Sequence, residues 1–237
     1  AKATRRGGHV LFEAAIRQEL ENRLTLESEL ALAADRGEFE LFYQPQVRLI
    51  DGSLVGAEAL IRWRHPVRGY VSPGEFMPVV NTSALSERIA NWVMVTACRQ
   101  ACDWELSGNG VRVAINLSPS QLQSGDLAHS VQALLEATGL TPSLLEIEVT
   151  GDILLNDESR VLDMFKRIQQ LGVRVLFDDF GTGYASLSYL KKFPLDGLKI
   201  DRSFVFGLLA NSDDAAIVGS TIGLSRQLGL TVVAEGI

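Results

Sequence analysis

ESRVLDMFKRIQQLGVRVLFDDFGTG, residues 158–183, decides the fold. Its first part is an amphipathic helical segment that stops at Gly172, and VRVLFDDF (173–180) is an apolar strand ending in two adjacent aspartates, after which GTG turns the chain. A helix feeding a buried strand is the repeating piece of a parallel α/β sheet. The aspartates raise the chemical question. A glycine-rich turn after a strand usually cradles phosphate, yet two carboxylates at its mouth should repel one.

The same rhythm extends in both directions. Strand candidates are FELFYQPQV (39–47), LVGAEALIRW (54–63), VRVAINLS (111–118), LLEIEVT (144–150), GLKID (197–201) and LTVVAEGI (230–237). Helical segments lie between them, ALSERIANWVMVTACRQACDW, LAHSVQALLEATG and DDAAIVGSTIGLSRQLG, and Gly139 and Gly229 are stops like Gly172. Residues 11–36 contain no Gly or Pro and repeat apolar residues at helical spacing through Ile16, Leu20 and Leu24, which predicts a further helix ended by Gly37. Seven strands in a βα rhythm predict a parallel α/β sheet or barrel. VRLIDGSLVG, between the first two strands, is too short for a crossover helix and carries an Asp-Gly turn, so that pair should be antiparallel.

With 237 residues, 46% of them hydrophobic, the chain has the material for one barrel-sized domain. A formal charge of −7 argues against a broad electrostatic footprint on DNA or RNA. His9, His65 and His129 are scattered and lack HExxH-like spacing, so an imidazole-rich zinc site is not expected. Cys98 and Cys102 share one face of a helical segment and read as small buried apolar residues. No apolar run approaches a membrane span and AKATRRGGHVLFEAA lacks the core of a signal peptide, so the expectation is a soluble, cytoplasmic domain.

The polar residues cluster by position along the strands. Glu58, Asn116, Glu148, Asp178, Asp179, Lys199 and Glu235 each stand at or near the C-terminal end of a predicted strand. In a barrel those ends converge on the face that carries catalytic groups. Any one of them has an ordinary alternative as a helix cap or an ion-pair partner, and for Lys199 that partner is Asp201. Together, five carboxylates in one cleft would repel one another unless cations neutralised them. Oxygen donors without thiol or imidazole suit two Mg²⁺ or Mn²⁺ ions, and a two-metal site activates water for in-line displacement at a phosphodiester.

The chain resembles the EAL-domain family, bacterial phosphodiesterases of cyclic di-GMP, in YQPQ (43–46), EALIRW (58–63), INLSP (115–119), EIEVT (146–150), DDFGTGYASL (178–187), LKID (198–201) and AEGI (234–237). The resemblance implies a (β/α)8 TIM-like barrel with an antiparallel first strand, and opening of cyclic di-GMP to linear pGpG. It implies that Glu58, Asn116, Glu148 and Asp178 hold a first metal, that Asp178 bridges to a second which Asp179 also holds, and that Glu235 completes the site. Lys199 is similar to the lysine that orients the attacking water, and Gln44 and Arg62 match positions that contact the dinucleotide, Arg62 through a phosphate. The ordinary alternative for Arg62 is a surface ion pair. AKATRRGGHVLF resembles the last strand of a GGDEF domain. That divides the chain into an upstream tail (1–10), a linker helix (11–36) and an EAL domain (37–237), with homodimer pairing through the DDFGTGYASL loop and the helix after it.

Two departures stand out. The family's second glutamate, three residues after the metal-binding one, is Gly151 here, so the carboxylate that supports the DDFGTGY loop is missing. The chain also ends at Ile237, where the resemblance leads one to expect an eighth strand. Besides the enzyme, two readings stay open: a cyclic di-GMP receptor with impaired catalysis, and a scaffold that only docks or dimerises.

Overall fold

The computed structural model describes residues 14–123, 126–154, 157–182 and 187–237. The expected upstream tail, residues 11–13 of the predicted linker helix and Gly183–Ser186 of the DDFGTGYASL stretch lie outside the described residues. The chain divides into two compact units, the smaller made of residues through Glu40 together with Arg62–Ser86, the larger of Leu41–Ile61 with Glu87–Ile237.

In the smaller unit, α1 (Ala14–Arg36) is followed by the start of β1 (Phe39–Val47), the end of β2 (Leu54–His65), β3 (Gly69–Val71) and α2 (Pro73–Val80). Gly37, at φ +68, ends α1 as read from the sequence. Its core is Leu30, Ala33, Phe39, Trp63, Val71, Phe76 and Val80. Phe39, Trp63 and Phe76 pack with ring centroids 5.9 to 6.2 Å apart, and Trp63 Nε1 donates to Glu38 Oε2 at 3.1 Å. The stripe that identified α1 has a different fate: Ile16, Leu20 and Leu24 are exposed, and the helix buries Leu30 and Ala33 instead.

The larger unit holds the remainder of β1 and β2 and every strand after β3. The sheet path runs β1, β2, β4 (Arg112–Asn116), β5 (Leu145–Val149), β6 (Arg174–Phe180), β7 (Gly197–Ile200), β8 (Thr231–Ala234), with β3 attached to β2. These are the seven strands read from the sequence plus the three-residue β3, which is too short to leave a pattern. The β1–β2 pair closes through Arg48 N–H to Ser53 O at 2.8 Å around the Asp-Gly turn, and Arg64 N–H meets Glu38 O at 2.9 Å, the antiparallel arrangement expected from the short connection. From β2 to β8 every pairing along the path is parallel.

Helices α3 (Ser86–Leu106), α4 (Pro119–Gln123), α5 (Leu127–Thr138), α6 (Gly151–Leu154), α7 (Glu158–Gln170), α8 (Leu187–Lys192), α9 (Arg202–Gly207) and α10 (Ser212–Leu228) alternate with these strands. In α7, Val161, Phe165 and Ile168 form the buried stripe, Asp157 caps the start by accepting from Arg160 N–H, and Gly172 follows at φ +90. Strand alternation then sorts the side chains. Val113, Ile115, Leu145, Ile147, Val149, Val175, Phe177, Leu198 and Ile200 join the helices in one apolar core. The intervening positions, including Asn116, Glu146, Glu148, Asp178 and Lys199, belong to the other face. Cys98 is buried and Cys102 half-buried, both as free thiols, in agreement with their spacing.

Candidate active site

Parallel register gathers the strand-end polar groups. Asn116 lies opposite Glu148 across β4 and β5, and Lys199 on β7 lies opposite Val233 on β8, two residues before Glu235. Lys199, 1% exposed, is the centre: its Nζ stands 2.7 Å from Glu235 Oε1, 2.8 Å from Glu148 Oε2, 3.0 Å from Glu58 Oε2 and 3.2 Å from Asp178 Oδ1. Asn116 Nδ2 donates to Glu58 Oε1 at 2.9 Å. Asp201 is not the partner of Lys199. It caps α9 instead, accepting from Ser203 N–H at 2.9 Å.

Asp178 and Asp179 are consecutive, and on a regular strand their side chains would point to opposite faces. The register between β6 and β7 slips between Phe177 and Phe180, and Asp179 takes φ 53, the only positive φ outside glycine among the described residues. This irregularity lets both aspartates serve one place. One oxygen each from Asp178, Asp179 and Glu235 lies within 4.8 Å of the others. Asp179 N–H also donates to Asp178 Oδ1 at 2.9 Å, which steadies the buried carboxylate beside its exposed neighbour.

The electrostatics show what the cluster lacks. Burial opposes a charge on Lys199, but Glu148, Asp178 and Glu58 outweigh it and hold the ammonium above its ordinary pKa. Burial first, then Glu58 and Asp178, push Glu148 well above the usual carboxylate range against the pull of Lys199. Glu235 is raised by burial, and Asp179 by burial and by Asp178. Lys199, Glu148, Asp179 and Glu235 thus all hold protons more tightly than they would in water, the three carboxylates first because they are buried and then because like charges crowd them. Glu148 Oε1 is buried without a hydrogen-bond donor. An all-oxygen donor set short of positive charge, with one orphaned carboxylate oxygen, fits a hard divalent cation.

Gln44 is exposed on β1, and Arg62 is half-buried on β2 in the smaller unit. Gly151 opens α6, two residues beyond the end of β5. Sequence reading passed over Glu146, which is 2% exposed and meets Arg174 Nη1 at 3.1 Å through its Oε2. Strand alternation places it on the face of Glu148, so EIE already held the signal.

The EAL domain family model matches residues 27–237. An uncharacterized signaling protein of Caulobacter vibrioides is 42% identical over 100% of this chain and 29% of its own length. The bifunctional diguanylate cyclase/cyclic di-GMP phosphodiesterase MucR of Pseudomonas aeruginosa is 40% identical over 100% of the chain and 35% of its own length. The chain thus spans about a third of the curated relatives it matches. Among solved structures, the PaMucR phosphodiesterase in complex with c-di-GMP superposes with a TM-score of 0.85 at 41% identity, covering 90% of this chain and 87% of that one. The FimX EAL domain of Pseudomonas aeruginosa shares the fold at a TM-score of 0.79 and 22% identity, over 88% of this chain and 84% of that one. Family model, relatives and fold agree with the carboxylates arranged around Lys199, and the chain belongs to the EAL domain family.

Proposed function

We propose that this chain hydrolyses one phosphodiester of cyclic di-GMP to give linear pGpG. The observation that carries the reading is the meeting of Glu58, Glu148, Asp178 and Glu235 around Lys199 Nζ at 2.7 to 3.2 Å. The names of MucR and of NbdA, a cyclic di-GMP phosphodiesterase of Pseudomonas aeruginosa 37% identical over 100% of this chain, support the choice of substrate.

Glu58, Asn116, Glu148 and Asp178 would hold one Mg²⁺ or Mn²⁺ ion, Asp178 and Asp179 a second, and Glu235 would complete the set. Bound there, the ions would acidify water and stabilise charge on the phosphoryl oxygens. Lys199 orients the attacking water through Nζ, and Glu235 and Glu58, 2.7 and 3.0 Å from that nitrogen and less deeply buried than Glu148, take the proton from the water. Water oxygen bonds to phosphorus, the bond from phosphorus to the 3′ oxygen breaks, and that oxygen takes up a proton. Gln44 and Arg62 bind the dinucleotide, Arg62 through a phosphate.

A TIM-like barrel, a homodimer, a GGDEF-like domain in the same protein and a cytoplasmic location complete this reading. Gly151 favours one alternative, a receptor that binds cyclic di-GMP with little turnover, because the position provides no carboxylate. Incubating the protein with cyclic di-GMP and each metal, and assaying for pGpG, separates the two. Product supports the hydrolase, and tight binding without product supports the receptor.

A further inference from the structure

The short helix α9 begins one residue after the strand that carries Lys199. Asp201 fixes its first turn, accepting from Ser203 N–H at 2.9 Å and from the Ser203 hydroxyl. Two glycines lie against that turn. Gly181, two residues after Asp179, has φ +103, and a Cβ there would stand 2.6 Å from Cε2 of Phe204. Gly236, directly after Glu235, has φ +79, and a Cβ there would stand 2.9 Å from Cβ of Arg202. Both glycines lie against α9 in a conformation that favours glycine: a side chain at Gly236 would meet Cβ of Arg202, and one at Gly181 would have to displace the Phe204 ring. The turns that present Asp178, Asp179 and Glu235 therefore rest on one helix, and those are the residues whose oxygens gather within 4.8 Å.

We propose that Phe204 is a positioning residue: its ring against Gly181, together with Arg202 against Gly236, makes α9 the spacer that sets how closely the Asp178–Asp179 pair and Glu235 converge on a divalent cation. This rests on reading the carboxylate cluster as a cation site. The effect travels through backbone. Asp179, at φ 53, holds a conformation that L residues adopt sparingly, so its carboxylate keeps its aim only while the adjoining chain is held. Thr182 closes the turn from within, with N–H and Oγ1 donating to Asp179 O at 3.2 and 2.9 Å. Phe204 braces it from another element. Without the ring, Gly181 has space to relax, and Asp179 and Glu235 lose their common focus.

The test uses protein stripped with EDTA, in wild-type form and as Phe204→Ala, Phe204→Leu and Phe206→Ala. Phe206 is on the same helix but 86% exposed, and serves as the control. Mn²⁺ affinity is read from the electron paramagnetic resonance signal of the free ion, thermal unfolding checks folding, and pGpG formation is followed against Mn²⁺ concentration. Phe204→Ala should weaken Mn²⁺ binding about tenfold or more, the scale seen when groups behind metal ligands are removed. Phe204→Leu should restore most of the affinity, Phe206→Ala should leave it unchanged, and saturating Mn²⁺ should return Phe204→Ala turnover to the wild-type rate. Unchanged affinity in Phe204→Ala, or lost turnover that saturating Mn²⁺ does not restore, overturns the proposal. If Phe204→Ala does not fold, Phe204→Val replaces it with the same two outcomes. Wild-type protein that binds no Mn²⁺ overturns the cation site itself, a failure distinct from that of Phe204.

Discussion

Lys199 Nζ lies 2.8 Å from Glu148 Oε2, while Glu148 Oε1, also buried, has no hydrogen-bond donor. The carboxylate is thus half served by protein, and Lys199 is the counter-charge for its neighbours as well. Removing one side of such a buried ionic set typically costs about 3–5 kcal/mol, because the partner charge is left uncompensated. Lys199→Met should destabilise the metal-free protein on that scale, and added Mg²⁺ should recover part of the loss. Urea unfolding in EDTA and in Mg²⁺ provides the measurement; stability equal to wild type in EDTA would refute this account of the cluster.

Asp179 combines a strained backbone with a useful carboxylate. At φ 53, replacing it with glycine removes a penalty of about 1 kcal/mol, while deleting an oxygen from the group shared with Asp178 and Glu235. Asp179→Gly is therefore expected to be more stable than wild type in EDTA and weaker for Mn²⁺. Denaturant midpoints paired with Mn²⁺ titrations would show the two changes in opposite directions. If stability also fell, backbone strain would not be the dominant effect at this position.

These relationships separate what was legible in the sequence from what was not. Asn116, Glu148, Asp178, Lys199 and Glu235 could be gathered from strand endings alone, because parallel strands place equivalent ends together; Glu58, expected at a strand end, is instead the fifth residue of the twelve-residue β2 and joins them where the parallel pairing of β2 with β4 ends. The slip between β6 and β7 that lets Asp178 and Asp179 act on one side was not legible, since it depends on pairing between strands far apart in sequence. Nor was the role of Gly181 and Gly236, whose positive φ values matter only because α9 lies against them. The apolar stripe of Ile16, Leu20 and Leu24 revealed a helix correctly but not which face would be buried.

Gly151 offers a direct gain-of-function experiment. It stands at the first position of the four-residue α6 and offers no carboxylate. Gly151→Glu should tighten divalent-cation binding and raise turnover of cyclic di-GMP. Side-by-side Mg²⁺-dependent hydrolysis by the two proteins decides it; equal rates would mean that the missing glutamate has no consequence here.

Cys98 and Cys102 give a test of the core behind the sheet. Burial pushes the Cys98 thiol up to about 12, whereas Cys102 is half-buried, with its Sγ 3.2 Å from Thr138 O. A raised thiol pKa means that the neutral form is favoured in the folded protein. The stabilisation is fully present below the ordinary thiol value of 9.0 and is lost as pH rises through about 12. At pH 8 a thiol-specific disulfide reagent should therefore modify no more than Cys102 in the native chain, and both cysteines in urea, with Cys102→Ala leaving no fast-reacting thiol. Rapid native labelling of Cys98, located by peptide mass, would show that the packing between α3 and the sheet opens far more readily than its complete burial implies.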